Sequence, residues 1–236
     1  MVNTEHTSKQ FDSELDAVRE RVLTMGSLVE SQIQRAIEAL VNRDEALMER
    51  VIADDHRVNG LEVEIDESCN HIIVRRQPTA GDLRMLMTII KTITDLERIG
   101  DQARNIARMA QLISKKEPLH GMPRYTEIRH AATLVLDMLH RALDAFAHLD
   151  IMAVTHIVRQ DAQVDDEYRA ILRHLITFMM EDPRTISTAF EILFVAKAIE
   201  RIGDHAKNMS EYVVYMVKGR DVRHVTIEEI EREIRE

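Results

Sequence analysis

Two nearly identical stretches, ERIGDQARN at Glu97–Asn105 and ERIGDHAKN at Glu200–Asn208, decide how this chain is organised. They lie 103 residues apart, and a second matched pair, Arg35–Asp44 and Arg141–Asp150, lies 106 residues apart. A deletion of three residues in the second copy accounts for the difference. The chain therefore contains one unit of about a hundred residues twice, which is longer than the repeats of common solenoids.

Apolar residues around these stretches follow a helical period. They recur every three or four residues from Phe11 to Leu40 and again from Ile128 to Leu149. This spacing is typical of helices that pack along one seam. The composition agrees, because 31% of the 236 residues are charged and only 7 are glycine and 4 proline. No segment alternates like a strand, so the sequence predicts an all-α fold.

Breaks in the helical pattern divide each repeat into three helices. Pro78 and Pro183 lie at two of the breaks, and Pro118, Gly121 and Pro123 separate the two repeats. We predict helices over residues 5–42, 44–76, 80–116, 124–148, 150–181 and 183–218. They should form two tandem three-helix bundles packed together, over residues 1–117 and 124–219, followed by a C-terminal tail over residues 220–236.

Helix ends carry recognisable signals. Asp44 and Asp150 are each placed to cap the helix that follows, and Gly219 is placed to end the last helix of the second repeat. The tail has isoleucines at helical spacing, including Ile230 and Ile234, so a short helix with one apolar side is expected there.

Composition and charge exclude several classes of function. The net charge of −10 argues against nucleic acid as the main partner. The single cysteine, Cys69, allows no disulfide within the chain and fits a reducing cytosol. Charged residues interrupt every apolar run before the ~18 residues that a membrane helix needs, and the first residues lack the apolar region of a signal peptide. We therefore expect a cytoplasmic protein without direct membrane insertion.

The repeated stretch places two carboxylates one helical turn apart. Glu97 and Asp101 are i, i+4 neighbours in the first repeat, and Glu200 and Asp204 are in the second. Side chains at this spacing lie on the same face of a helix. Each copy of the stretch therefore presents a pair of carboxylates that can act together.

The preceding helix of the first repeat carries a matching pair, Asp55 and Asn59. In an antiparallel helical hairpin, residues at equal distances from the turn face each other. Residue 78, a proline at the predicted turn, is the midpoint of Asp55 and Asp101 and also of Asn59 and Glu97. The first hairpin should therefore bring four oxygen-bearing side chains to one level.

The same relation holds in the second repeat. Asp161 with Asp204, and Asp165 with Glu200, share a midpoint just before Pro183, at the predicted turn. An aspartate within an apolar helical stripe, as Asp161 is, costs free energy unless it is paired or coordinated. Asp55 lies likewise between Val51 and Val58, whereas Glu200 and Asp204 lie off the stripe, so the predicted sites are shallow.

Two interpretations account for these carboxylates. Clustered carboxylates suit hard or borderline cations, so Mg²⁺, Mn²⁺, Ca²⁺, Zn²⁺ or ferrous or ferric iron are candidate cofactors, with more than one ion where carboxylates bridge. Alternatively, basic residues of the same helices neutralise the acids through i, i+3 pairs. The residues placed for such pairs are Arg98, Arg104, Arg201 and Lys207.

Two glycines and two histidines near the acids also have alternative roles. Gly100 and Gly203 each cost about 1 kcal/mol relative to alanine within a helix, which close helix packing or clearance for a cation would explain. His56 and His205 adjoin the acids and could be ligands, although a one-residue step turns a side chain 100° away. No phosphate-binding loop, HExxH motif or nucleophile–base pair is present in the sequence.

With these residues in hand, the chain resembles the PhoU family of accessory regulators of phosphate-specific transport. The resemblance covers essentially the whole chain and is carried by RRQPTAGDLR at Arg75–Arg84, KTITDLERIGD at Lys91–Asp101, AIERIGDHAKN at Ala198–Asn208 and VKGRDVRH at Val217–His224. It implies two PhoU-like three-helix repeats.

The resemblance also implies metal sites, because the family holds metal clusters at paired E/D-x-x-x-D motifs on its surface. Carried over by position, the metal-binding residues are Asp55, Asn59, Glu97 and Asp101 in the first site and Asp161, Asp165, Glu200 and Asp204 in the second. Asn59 departs from the acid expected at its position. The first site should therefore be less anionic and bind cations more weakly or in different number.

For function, the resemblance implies a non-catalytic negative regulator of the phosphate-starvation (Pho) response. Such proteins connect the phosphate ABC transporter, through its ATPase PstB, to the sensor histidine kinase PhoR. They are cytoplasmic, often homodimeric, and peripheral to the inner membrane through these partners. The residues themselves leave two other classes open: a carboxylate-bridged metal enzyme, and a helical scaffold whose acids are only ion-paired.

Overall fold

Seven α-helices form the described part of the chain, which in this computed structural model comprises residues 9–116, 125–223 and 225–235. The helices are α1 (Lys9–Asn42), α2 (Glu45–Arg76), α3 (Ala80–Ser114), α4 (Thr126–His148), α5 (Met152–Glu181), α6 (Ile186–Lys218) and α7 (Ile227–Arg235). The all-α prediction is confirmed.

The six predicted helices are confirmed to within three residues at every described end. The largest shift is at α6, because Pro183–Thr185 forms a 3-10 turn before the helix begins. The predicted start of the first helix at residue 5 and the linker residues Pro118, Gly121 and Pro123 lie outside the described residues. Residues 1, 117 and 124 lie there too, so the predicted start of the fourth helix is not described, and the bundle limits 1–117 and 124–219 stay predictions.

Local interactions at the helix ends explain where the helices begin and stop. Asp44 caps α2 as predicted, since its carboxylate accepts a hydrogen bond from the Leu47 N–H at 2.9 Å. Gly219 ends α6 with φ 74, a left-handed conformation that favours glycine. Asp150 was predicted to be the N-cap of α5, but the N-cap is Ile151. The chain first turns through Leu149 (φ 56), and Asp150 then accepts a hydrogen bond from the backbone at the start of the helix.

The equivalent helices α3 and α6 form the central pair of the molecule and run antiparallel. Asp95 in α3 contacts His205 in α6, and Lys116, just beyond the end of α3, contacts Ser187 at the start of α6. The helices α1 and α2 pack on α3, while α4 and α5 pack on α6, and α1 also packs on α4. Two three-helix bundles are thus joined along α3–α6 and α1–α4.

A single continuous hydrophobic core runs through both bundles. Its largest fully buried side chains include Phe146, Met25 and Ile33. The helices α1 and α4 pack closely at Gly26, where an added Cβ would lie 2.5 Å from Cδ2 of Leu143. A side chain at this position would therefore require Leu143 or the helices to shift.

The short helix predicted in the tail is confirmed as α7. Ile230 and Ile234 are buried, and they pack with Val154, Val214 and Val222 in a separate small apolar cluster. The tail therefore docks against the second bundle. Among the helices that the structure describes, none combines the length and apolar character required to cross a bilayer.

Candidate metal centres

The first candidate site lies between α2 and α3. Asp55 is only 4% exposed, because it lies in line with Val51 and Val58, which are fully buried. Glu97 and Asp101 are half-buried on the facing helix. The hairpin arithmetic is thus consistent with the structure at this level of the bundle, although Asp55 is more deeply buried than a shallow site requires.

Arg104 joins two carboxylates of this site. One guanidinium nitrogen hydrogen-bonds to Asp55 across the hairpin, and the other lies 2.6 Å from Asp101. The i, i+3 pair with Asp101 was predicted from the spacing, but the contact with Asp55 was not. The guanidinium thus occupies the space between an acid of α2 and an acid of α3.

The acids of the first site repel one another. Burial raises the pKa of Glu97 above its usual value, and the charges of Asp101, Glu62 and Asp55 raise it further, while Arg104 partly opposes them. A cation placed among these carboxylates would relieve that repulsion.

Glu62 is an acidic neighbour of the first site that the sequence motifs did not identify. Its pKa is also raised, first by burial and then by the charge of Asp66, with a smaller contribution from Asp101. Its position could have been found by the same hairpin relation, because residue 78 is also the midpoint of Glu62 and Thr94.

The second candidate site lies between α5 and α6, and lysines pair with its acids. Lys207 Nζ donates to Asp161 Oδ2 at 2.6 Å, and Lys197 Nζ donates to Glu200 Oε1 at 2.6 Å. Sequence spacing places Lys207 beside Asp204, but its hydrogen bond crosses the hairpin to Asp161. Each site therefore holds a basic residue from the repeated stretch against an aspartate of the preceding helix.

Asp204 belongs to the same electrostatic cluster. Burial raises its pKa, and the charges of Glu200 and Asp161 raise it further. Asp165 lies 3.6 Å from Arg169, one turn along its own helix. The structure thus couples three of the four predicted acids of the second site, and the fourth takes part in an ion pair along α5.

The donor atoms of both sites fit a hard cation in type. Asp55 Oδ1, Asn59 Oδ1 and Glu200 Oε2 are buried and have no hydrogen-bond partner, so each site contains an acceptor that a cation could satisfy. Within residues 9–116, 125–223 and 225–235, no three histidine, cysteine or acidic side chains converge closely enough to hold an ion. A bound cation would therefore have to displace the resident guanidinium or ammonium group.

The two glycines of the repeated stretch face the interiors of their bundles. An added Cβ at Gly100 would lie 3.3 Å from both Gln32 Oε1 and Val58 Cγ1. At Gly203 it would lie 3.4 Å from Val135 Cγ1. No carboxylate is among these nearest atoms, which supports close packing as the reason for the glycines.

His205 is engaged between the bundles. Its Nδ1 lies 2.7 Å from Oδ1 of Asp95, which is 3% exposed. Asp95 was not found from the sequence, because the contact joins the two repeats and no spacing within one repeat reports it.

Comparison with known proteins agrees with the repeated architecture. The model of the PhoU domain matches the chain twice, over residues 22–110 and 128–213. The chain is 46% identical over 228 residues to a phosphate-specific transport system accessory protein PhoU homolog of a Burkholderia species, with 97% of each chain covered. It is 48% identical over 227 residues to the phosphate-specific transport system accessory protein PhoU of Escherichia coli K12, covering 96% of this chain and 93% of that one.

Solved structures share the fold over nearly all of the chain. The crystal structure of PhoU from Pseudomonas aeruginosa superimposes with a TM-score of 0.83 at 43% identity, covering 89% of this chain and 100% of that one. The phosphate transport system regulatory protein PhoU from Streptococcus pneumoniae gives a TM-score of 0.82 at 29% identity, with 90% and 99% covered. By its two matched domains, its identity to these relatives and its fold, the chain belongs to the PhoU family.

Proposed function

We propose that this protein is a non-catalytic accessory regulator of phosphate-specific transport that represses the phosphate-starvation response when phosphate is plentiful. The observation that carries the proposal is the 48% identity, over 96% of the chain, to a protein named for that transport system. Identity of this extent covers both repeats and both candidate sites, so the relation involves the whole architecture.

The proposed role is that of an adaptor. It would couple the ATPase PstB of the phosphate ABC transporter to the sensor histidine kinase PhoR, as a homodimer that is cytoplasmic and reaches the inner membrane through these partners. The net charge of −10 supports protein partners over nucleic acid.

We further propose that the two sets of oxygen-bearing side chains hold divalent or ferric ions. Asp55, Asn59, Glu97 and Asp101 would hold the first, and Asp161, Asp165, Glu200 and Asp204 the second. A bound ion would supply positive charge between two helices of a hairpin. The raised pKa values of Glu97 and Asp204 are consistent with this role. Burial is the main cause of both shifts, and the charges of the neighbouring acids raise both values further.

Regulation is tested by deleting the gene in its own host and measuring a phosphate-regulon reporter at high phosphate. We expect the reporter to rise in the deletion strain and to return to its basal level when the wild-type gene is restored. An unchanged reporter would contradict the regulatory role. Capture of the transporter ATPase and of the kinase by the tagged protein from the same strain tests the adaptor role.

Metal binding is tested by elemental analysis of protein purified without a nickel column. We expect at least one metal ion per chain in the wild type and loss of the metal in an Asp101→Ala, Asp204→Ala double variant. Asp144→Ala is the control, because this exposed acid of α4 pairs with His148 of the same helix. A metal-free wild type would favour the ion-paired scaffold.

A further inference from the structure

The second site has a feature that the motif does not include: a buried carboxylate one turn beyond its resident lysine. Glu211 in α6 is 4% exposed, and its Oε2 has no hydrogen-bond partner. It follows Lys207 by four residues, so the two side chains share one helix face. Burial raises the pKa of Glu211 to about 7, which Lys207 opposes and Asp161 increases. Glu211, Lys207 and Asp161 therefore form one electrostatic group.

Lys207 is held on the Asp161 side of this group. Its ammonium donates to Asp161 Oδ2 at 2.6 Å and makes no such bond to Glu211. A metal ion that binds Asp161 must therefore compete with the Lys207 side chain for the same carboxylate.

The first site lacks this arrangement. Arg104 stands at the repeat position of Lys207, and its guanidinium contacts both Asp55 and Asp101. The counterpart of Glu211, 103 residues earlier, is the exposed Arg108. An Arg104 displaced from its two carboxylates would meet a like charge one turn further along α3.

We propose that Lys207 is a movable counter-ion of the second site: when a metal ion takes Asp161, Glu211 receives the ammonium. Arg104 meets no carboxylate one turn further along α3, so it opposes metal binding at the first site more strongly. The inference rests on the proposed metal binding. It makes the second site the one that takes up and releases metal readily, through two residues outside the family's metal motif.

The test is a calorimetric titration with Mn²⁺ in an E97Q, D101N background, which leaves the second site to be read alone. Lys207→Met should tighten Mn²⁺ binding about tenfold. In the wild type, the lysine blocks the site in most molecules, and the apparent affinity is proportional to the fraction of molecules with an open site. Glu211→Gln should weaken it about threefold. In the Lys207→Met background, Glu211→Gln should have almost no effect, because the carboxylate acts through the ammonium.

Each failure has a separate meaning. If Lys207→Met leaves Mn²⁺ binding unchanged, Lys207 is not a counter-ion that competes with the metal. An equal loss of Mn²⁺ affinity from Glu211→Gln with and without Lys207 would show that Glu211 acts only through its own charge. It would contradict the transfer of the Lys207 ammonium from Asp161 to Glu211. Absence of Mn²⁺ binding in every variant, Lys207→Met included, would overturn the metal sites themselves together with the inference.

A gain-of-function variant tests the same idea from the other side. In an E200Q, D204N background, Arg108→Glu supplies a receiving carboxylate for Arg104 and should tighten Mn²⁺ binding at the first site. Lys115→Glu is the matched control, because it makes the same change of charge at an exposed position beyond the end of α3. Equal effects of the two variants would indicate a general electrostatic effect and contradict the proposal.

Discussion

Glu211 shows what burial does to a single carboxylate in this molecule. Its pKa lies at about 7, above the ordinary 4.5, chiefly because it is shielded from water. A raised folded-state pKa means that the folded protein binds the proton more tightly than the unfolded chain does. The stability that this group contributes is therefore present below pH 4.5 and is lost as the pH rises to about 7.

We expect Glu211→Gln to remove this pH dependence. Between pH 4.5 and 7.5, the free energy of unfolding of the wild type should fall by about 3 kcal/mol relative to that of the variant, at about 1.4 kcal/mol per pKa unit. Urea unfolding across this range measures the difference. Glu49→Gln, at an exposed glutamate of α2, is the control and should run parallel to the wild type. A constant difference for Glu211→Gln would contradict the raised pKa.

At the residue scale, the sequence predicts which side chains share a level better than it predicts their partners. Hairpin spacing placed Asp55 near Asp101 and Asp161 near Asp204, because both depend only on the turn position and the helical rise. It did not predict that Arg104 and Lys207 reach across to the preceding helix. That choice depends on side-chain rotamers and on burial, neither of which the spacing determines.

At the scale of the helix, breaks in the apolar period located every element of the two bundles. They could not locate the contact between α1 and α4, because Gly26 lies within a helical run and nothing in its sequence neighbourhood distinguishes it. The position of this contact depends on how α1 and α4 are aligned along each other, which is determined only when the two bundles pack. A glycine that is unfavourable for its own helix is thus explained only by its neighbour.

We expect Gly26→Ala to destabilise the protein by about 1–3 kcal/mol, the usual cost of overpacking, because its Cβ would overlap Leu143. Gly60→Ala is the matched control. An added Cβ there meets nothing within 4 Å, so the variant should gain about 1 kcal/mol from helix propensity. Thermal and urea unfolding of the two variants measure both changes. A stabilised Gly26→Ala would mean that Leu143 moves aside without cost, and would contradict the prediction.

At the scale of the whole molecule, the continuous core makes the two repeats one folding unit. We expect a single unfolding transition, with matching calorimetric and van't Hoff enthalpies. Val29 in α1 and Val135 in α4 are both fully buried. Val29→Ala and Val135→Ala should each lower the free energy of unfolding of that single transition by about 2 kcal/mol. Two resolved transitions, each sensitive to one variant, would show that the bundles unfold independently.

The antiparallel pairing of α3 with α6 has a consequence for assembly. Since these helices are copies of each other, their contact is built like that of a two-fold symmetric dimer, with the same face used by both members. The faces of α3 and α6 that contact each other are buried within one chain and are not available to a further subunit. A homodimer of this chain would form through other surfaces, and substitutions between α3 and α6 should unfold the protein instead of releasing monomers.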